Sequence, residues 1–327
     1  MLSSVPTVVE ICAGAGGQSL GLEQAGLKHI AAIDVDVDSC ITLKRNRPEW
    51  DVIEADVREI RGRVYQGVDL LAGGVPCPPF SIAGKQLGEL DERDLFPEAL
   101  RLTEEIRPRA VMLENVRGFA TPRFAGYRDQ LKQRFELLGY ETSWTVVNGY
   151  QFGVPQYRPR FVMVALREDD ARHFTWPAES GDLLTVGETL ADLMAARAWP
   201  GAERWAAKAN LMAPTIVGGS KKHGGPDLGP TRARQEWLRL GVDGKGIAAA
   251  APDDEFPPEG LPRLTVRMVA RLQGFPDEWC FSGTKTSSYK QVGNAFPPPV
   301  ARAVASSILD AFAGRMPEQA RQLSLMA

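Results

Sequence analysis

The strongest constraint on the fold is a rhythm. From Thr7 to about Arg167, short β-rich apolar runs alternate with longer amphipathic ones. The candidate strands are 7–13 (TVVEICA), 29–34 (HIAAID), 69–73 (DLLAG), 109–115 (RAVMLEN), 142–148 (TSWTVVN) and 160–167 (RFVMVALR), with a further short one at Val52-Ile53. Helical patterns at 17–26, 37–46, 94–106 and 125–138 are each long enough to cross over a sheet. Alternation of this kind predicts an α/β fold with a mainly parallel twisted sheet and helices on both faces. Ligands of such sheets bind beyond the carboxyl ends of the strands.

After Trp176-Pro177 the rhythm stops. Residues 199–262 are rich in Gly and Pro and read as a separate, loop-dominated unit, in which Trp199, Trp205, Trp237 and the run LMAPTIV argue against a disordered linker. Regular pattern resumes at Leu264 and ends in a helix over PPPVARAVASSILDAF, whose prolines set its start.

Charge divides along the same line. The whole chain carries a formal net charge of −3. Residues 1–100 hold nine Lys/Arg against sixteen Asp/Glu, whereas residues 197–245 hold nine against four, a local net of +5. A near-neutral total therefore contains an acidic half and a basic insertion, which suits a division of labour between a small-molecule site and a polyanion.

Several classes are excluded. No run approaches the roughly 18 apolar residues of a membrane span, and the N-terminus lacks the basic stretch of a signal peptide, so a cytoplasmic protein is expected. Cys12, Cys40, Cys77 and Cys280 form no C-x-x-C pair, and His29, His173 and His223 are isolated. Neither a metal site nor a disulfide framework is expected.

The chemistry-bearing residues gather at predicted strand ends. The first strand runs into Gly14-Ala15-Gly16-Gly17 and then a helix, a turn that brings backbone N–H groups to a ligand. Ser19 occupies the last glycine position of a dinucleotide fingerprint, which counts against a nicotinamide oxidoreductase. Asp34 ends the second strand where a ribose-binding carboxylate belongs, and Asp56 follows the third. Cys77 sits among three prolines in GGVPCPPFS, an unusual place for a packing thiol, which is the role expected of Cys12, Cys40 and Cys280. Glu114 and Asn115 end the next strand, and Arg158 and Arg160 of QYRPR enter the last, two guanidinium groups expected at the mouth of the sheet.

With these blocks the chain resembles the bacterial DNA cytosine-5 methyltransferases of restriction–modification systems. The matching segments are ICAGAGGQSLGLEQAG, AAIDVD, GGVPCPPFSIAGKQ, AVMLENVRGF, GVPQYRPRFVMVAL, RLQGFPDEW and YKQVGNAFPPPVA, in the family's order. The resemblance implies a Rossmann-like S-adenosylmethionine-dependent domain over 1–176 and 263–327, with a target-recognition domain over 177–262. It implies Cys77 as nucleophile on cytosine C6, Glu114 at the exocyclic amine and N3, Arg160 at O2, and Arg158 and Asn115 beside them. The implied cofactor residues are Cys12, Ala13, Gly14, Gly16, Gly17, Asp34, Val35, Asp56, Val57, Pro76, Leu95, Asn294 and Ala295. The final helix must then return beside the first strand to deliver Asn294. Ser81, Arg93, Lys221, Lys222, Arg232 and Arg234 are the implied DNA contacts, the last four on Gly-rich loops.

Four positions depart from the common pattern. Cys12 stands in place of an aromatic, Asp34 of a glutamate, Val35 of a large aromatic and Pro78 of a glutamine. The implied partners are double-stranded DNA and a cognate restriction endonuclease, with the enzyme a monomer and no metal required. The alternatives are a tRNA cytosine-5 methyltransferase, faintly signalled by Cys280-Phe281-Ser282, and a catalytically silent DNA-binding protein.

Overall fold

A computed structural model describes residues 5–76, 94–179, 183–218 and 227–315. Seven strands, β1 (Thr7–Ile11), β2 (Lys28–Asp34), β3 (Val52–Glu54), β4 (Leu70–Gly73), β5 (Ala110–Val116), β6 (Tyr140–Asn148) and β7 (Pro159–Arg167), form one sheet in the order β3-β2-β1-β4-β5-β7-β6. Neighbours from β3 to β5 are parallel. Strand β7 runs antiparallel to both β5 and β6. The reversal follows from the connection: no α-helix crosses over between β6 and β7, so the chain can only turn back on itself.

Four helices alternate with the strands, α1 (Gly17–Ala25), α2 (Val37–Asn46), α3 (Phe96–Ile106) and α4 (Ala125–Leu137). The short α5 (Glu168–Ala171) follows β7. Beyond it lie α6 (Val186–Ala195), α7 (Ala202–Lys208), α8 (Thr231–Arg239), α9 (Val266–Leu272), α10 (Lys285–Asn294) and α11 (Pro298–Phe312). Helix starts follow local chemistry. Asp36 caps α2 by accepting from Ser39 N–H at 2.9 Å, Thr185 and Glu188 form a reciprocal capping box on α6, and prolines open α11.

The strands' alternation sorts the core into two faces. Val9, Ile11, Leu71, Val111 and Leu113 pack with Leu102 of α3 and Phe135 of α4. Val8, Leu70, Met112 and Val164 point the other way, onto Leu22 of α1 and Val304 and Ile308 of α11. Helix α11 does return beside β1, as the QVGNAFPP segment requires. It lies so close to α1 that a Cβ on Gly21 would come within 2.5 Å of the Ala301 methyl.

A third cluster joins Cys40, Leu43 and Trp50 to Trp205, Trp237 and Leu240 of the inserted segment and to Met268 and Val292 of α9 and α10. Trp199 and Trp205 are buried, and their indole N–H groups donate to the carbonyls of Pro257 and Gly241, each at 3.1 Å. Loop carbonyls thus take the place that sheet partners hold elsewhere in the fold.

Candidate active site

Three residues with positive φ turn the end of β1 into α1: Cys12 (+51°), Gly14 (+54°) and Gly16 (+93°). The turn is tied to β2 at two points. Ala13 N–H donates to the Ile33 carbonyl at 3.0 Å, and Gly14 N–H donates to Asp34 Oδ2 at 2.7 Å. Asp36 N–H donates to the other carboxylate oxygen at 2.8 Å, so Asp34 is oriented from both sides. Burial pushes its carboxyl up, and these N–H donors pull it part of the way back.

The loop forms one wall of a cavity of about 480 Å³ at the carboxyl edge of the sheet, within the usual size of a site for a nucleoside-sized ligand. Cys12, Ala13, Gly14 and Gly17 contribute from the loop, Asp34 and Val35 from the end of β2, and Asp56 and Val57 from beyond β3. Pro76 follows β4, Leu95 precedes α3, and Asn294 and Ala295 arrive from the end of α10. Gly16 alone of the expected cofactor residues is absent from the wall. A Cβ there would lie 2.6 Å from Trp279, whose indole N–H donates to the Ala15 carbonyl at 3.1 Å, so Gly16 makes room for the ring that braces the loop.

Cys12 differs from the expected packing thiol because it faces this cavity; burial, with Asp34 and Asp56 nearby, pushes its pKa up to about 12. Asp56 accepts from the backbone N–H of Arg58 at 2.9 Å and from its guanidinium at 2.8 Å, and both hold its carboxyl below the usual range.

Glu114 closes the cavity at the β5 side. The antiparallel register sets Glu114 opposite Val162, which puts Arg160 on the same face one diagonal step away. Arg160 Nε meets Glu114 Oε1 at 2.8 Å, with both side chains almost buried. Desolvation pushes the Glu114 carboxyl up, opposed by the charges of Arg160 and Arg158. A carboxyl held up in this way keeps a proton to a higher pH than a free one.

Asn115 points to the opposite face. Its amide donates to the Val75 carbonyl at 2.9 Å and so anchors the chain just before Pro76 and Cys77. Cys77, Ser81 and Arg93 lie outside the described residues, as do Lys221 and Lys222.

Arg158, expected beside Arg160 at the mouth of the sheet, is close enough to Glu114 to act on its charge but is buried rather than open. It is 1% exposed. Its guanidinium donates to the Gly293 carbonyl at 2.7 Å, to the Ala295 carbonyl at 2.8 Å and to the Ile216 carbonyl. The physical reason is that β7 begins only at Pro159, so the strand alternation that orients Arg160 does not reach Arg158. Three carbonyls from distant loops capture it instead.

Arg232 and Arg234 lie in the first turn of α8 rather than on a Gly-rich loop. The Arg232 side chain is 93% exposed and pairs with Glu236 at 3.4 Å. Among the described residues no group of three His, Cys, Asp or Glu could hold a metal, and no helix is long and apolar enough to cross a membrane.

The cavity also has residues that sequence reasoning passed over. Ser287, Lys290 and Gln291 join Asn294 on its wall. Their spacing puts all four on one face of α10, so Asn294 together with the helical period was a usable signal.

The chain matches the C-5 cytosine-specific DNA methylase family over residues 6–310. It belongs to that family. Among its relatives, the Type II methyltransferase M.NaeI of Lentzea aerocolonigenes is 58% identical over 92% of this chain and 74% of its own length. M.NgoMIV of Neisseria gonorrhoeae is 51% identical over 93% of this chain and 97% of its own. Two solved structures share the fold at low identity. The Entamoeba histolytica methyltransferase EhMeth has a TM-score of 0.67 at 13% identity, covering 95% of this chain and 99% of its own. The S. pombe Dnmt2 methyltransferase has a TM-score of 0.64 at 19% identity, covering 94% and 99%. As a member of the family the chain is a DNA cytosine-5 methyltransferase of the restriction–modification type, and the nicotinamide oxidoreductase reading is set aside.

Proposed function

We propose that this methyltransferase moves the methyl group of S-adenosylmethionine to C5 of a cytosine swung out of a specific DNA duplex, leaving S-adenosylhomocysteine. The observation that carries the reading is the meeting of two halves in one cavity. Glu114, held by Arg160, opens onto the same space as the glycine loop, Asp34 and Asp56.

The residues around that cavity fit the cofactor by their chemistry: Asp34 would accept from the ribose hydroxyls, Asp56 from the adenine amino group, and the Gly14–Gly17 turn would face the methionine end. S-adenosylmethionine, when bound, supplies an electrophilic methyl group. The chain's own residues make cytosine able to receive it. The Cys77 thiolate forms a bond to C6, and the electrons of the C5–C6 double bond move to C5. Glu114 holds a proton at N3 as negative charge builds in the ring, and Arg160 binds O2 and keeps Glu114 in place. After C5 has gained the methyl group it gives its proton to solvent water, the electrons of that C–H bond re-form the C5–C6 double bond, and the C6–S bond breaks to restore the thiolate and the aromatic ring. Asn115, through the Val75 carbonyl, positions the segment that carries Cys77.

Residues 177–262 act as the target-recognition domain, with Ser81, Arg93, Lys221, Lys222, Arg232 and Arg234 as DNA contacts. The enzyme works as a cytoplasmic monomer, without a metal, alongside a cognate endonuclease. The test is transfer of labelled methyl from S-adenosylmethionine into duplex DNA, with conversion-resistant cytosine sequencing to give position and target sequence together. Label is expected at C5 of one cytosine in a fixed sequence, and Cys77→Ala should abolish it. Transfer to tRNA alone would replace the substrate. Undiminished transfer by Cys77→Ala would end the covalent mechanism.

A further inference from the structure

Among the described residues, the cavity wall holds one buried polar side chain with no hydrogen-bond partner. Gln18, in the first turn of α1, is 4% exposed and is one of the residues that line the cavity. Neither its amide oxygen nor its amide nitrogen has a hydrogen-bond partner. The other buried polar groups described on that wall are engaged. Ser39 donates to Asp36 at 2.8 Å, Gln291 accepts from Thr42 at 2.6 Å, and Glu114 pairs with Arg160. Ser19, next in sequence, is also buried without a partner but does not line the cavity.

A buried amide with donor and acceptor both unmet is costly, and native proteins satisfy such groups with ligand or water. Leu or Met would fill the same space at no such cost. We infer that Gln18 is a ligand-contacting residue whose amide pairs with an edge that offers a donor beside an acceptor. The inference rests on the cofactor reading above and deepens it. S-adenosylmethionine has two such edges. One is the adenine N6 and N7 pair, which an amide binds through two parallel hydrogen bonds. The other is the ammonium and carboxylate of its amino-acid end.

The test is calorimetric titration of S-adenosylhomocysteine into the wild-type protein and into Gln18→Met, with the melting temperature of each ligand-free protein measured beside it. Gln18→Met should bind about 10- to 100-fold more weakly. Its ligand-free melting temperature should be equal to or above wild type, because the substitution removes a buried polar group that no protein atom satisfies. A purely structural amide gives the reverse pattern, a lower melting temperature with affinity within twofold, and that result would overturn the inference. Should Gln18→Met not fold, Gln18→Glu keeps the shape and loses the N–H donors, and weaker binding is again expected.

A parallel titration with 5′-methylthioadenosine, which lacks the amino-acid end, separates the two edges. Weakening of both ligands assigns the adenine edge, and weakening of S-adenosylhomocysteine alone assigns the amino-acid end. If the wild-type protein itself does not bind S-adenosylhomocysteine, the cofactor reading fails first and is recognised separately.

Discussion

The carboxyl edge of the sheet and the inserted segment handle polar groups in opposite ways. At the sheet edge the side chains proposed for chemistry are locked by neighbours: Gly14 and Asp36 on Asp34, Arg160 on Glu114, Val75 on Asn115. In the insertion Trp199 and Trp205 are locked through their indole N–H groups, while Arg232, proposed for DNA, stands in solvent on α8 and Arg234 is half-buried beside Asp227. Bond-making demands groups held within a fraction of an ångström. Reading a duplex demands long cationic side chains that adapt to phosphates and base edges on a rigid base. The site therefore carries its precision in the hydrogen bonds and ion pairs that hold Asp34, Glu114 and Asn115, and the insertion carries it in the buried tryptophans beneath its surface.

Substitutions can break this contrast, and the largest effect belongs to the sheet edge. Glu114→Gln should lower kcat by about 10²- to 10⁴-fold, the usual worth of a positioned acid, while S-adenosylhomocysteine affinity measured by calorimetry changes little. The same variant has a pH signature. The folded-state pKa of Glu114 is raised, so the folded protein holds a proton that the unfolded chain has already released. That contribution to stability is present at low pH and lost as pH rises through the raised value. Denaturant titrations across pH should show this component in wild type and not in Glu114→Gln.

Next in size is Trp237→Ala. Trp237 is fully buried on the inner face of α8, and its loss should cost about 3–5 kcal/mol in denaturant unfolding. DNA affinity should fall with it, because Arg232 and Arg234 ride on the same helix. Unaltered stability would mean that the insertion does not depend on its aromatic anchors.

The smallest effect is expected at Arg232→Ala. The side chain is almost wholly exposed, so stability should not change. DNA affinity should drop a few-fold, with the slope of log affinity against log salt reduced by about one. A loss confined to one base position, at constant salt slope, would move Arg232 from phosphate contact to base reading.

Much of this protein was determined by its sequence alone. The strand–helix rhythm set the sheet and all but the antiparallel β7 of its direction, because strand and helix periods are local properties of neighbouring residues. Asp34 and Glu114 were legible for the same reason, as polar residues that end apolar strands. Tertiary structure decided what depends on partners distant in the chain. Arg158 and Arg160 look alike in QYRPR, yet one is captured by carbonyls of residues 216, 293 and 295 and the other reaches Glu114. Gly16 looks like a ligand loop and instead receives Trp279. Gln18 looks like any polar residue on a helix and is buried beside a cavity with its amide unmet. No local period encodes which surfaces meet across 130 or 260 residues of chain; packing decides that, and with it which side chains face the ligand.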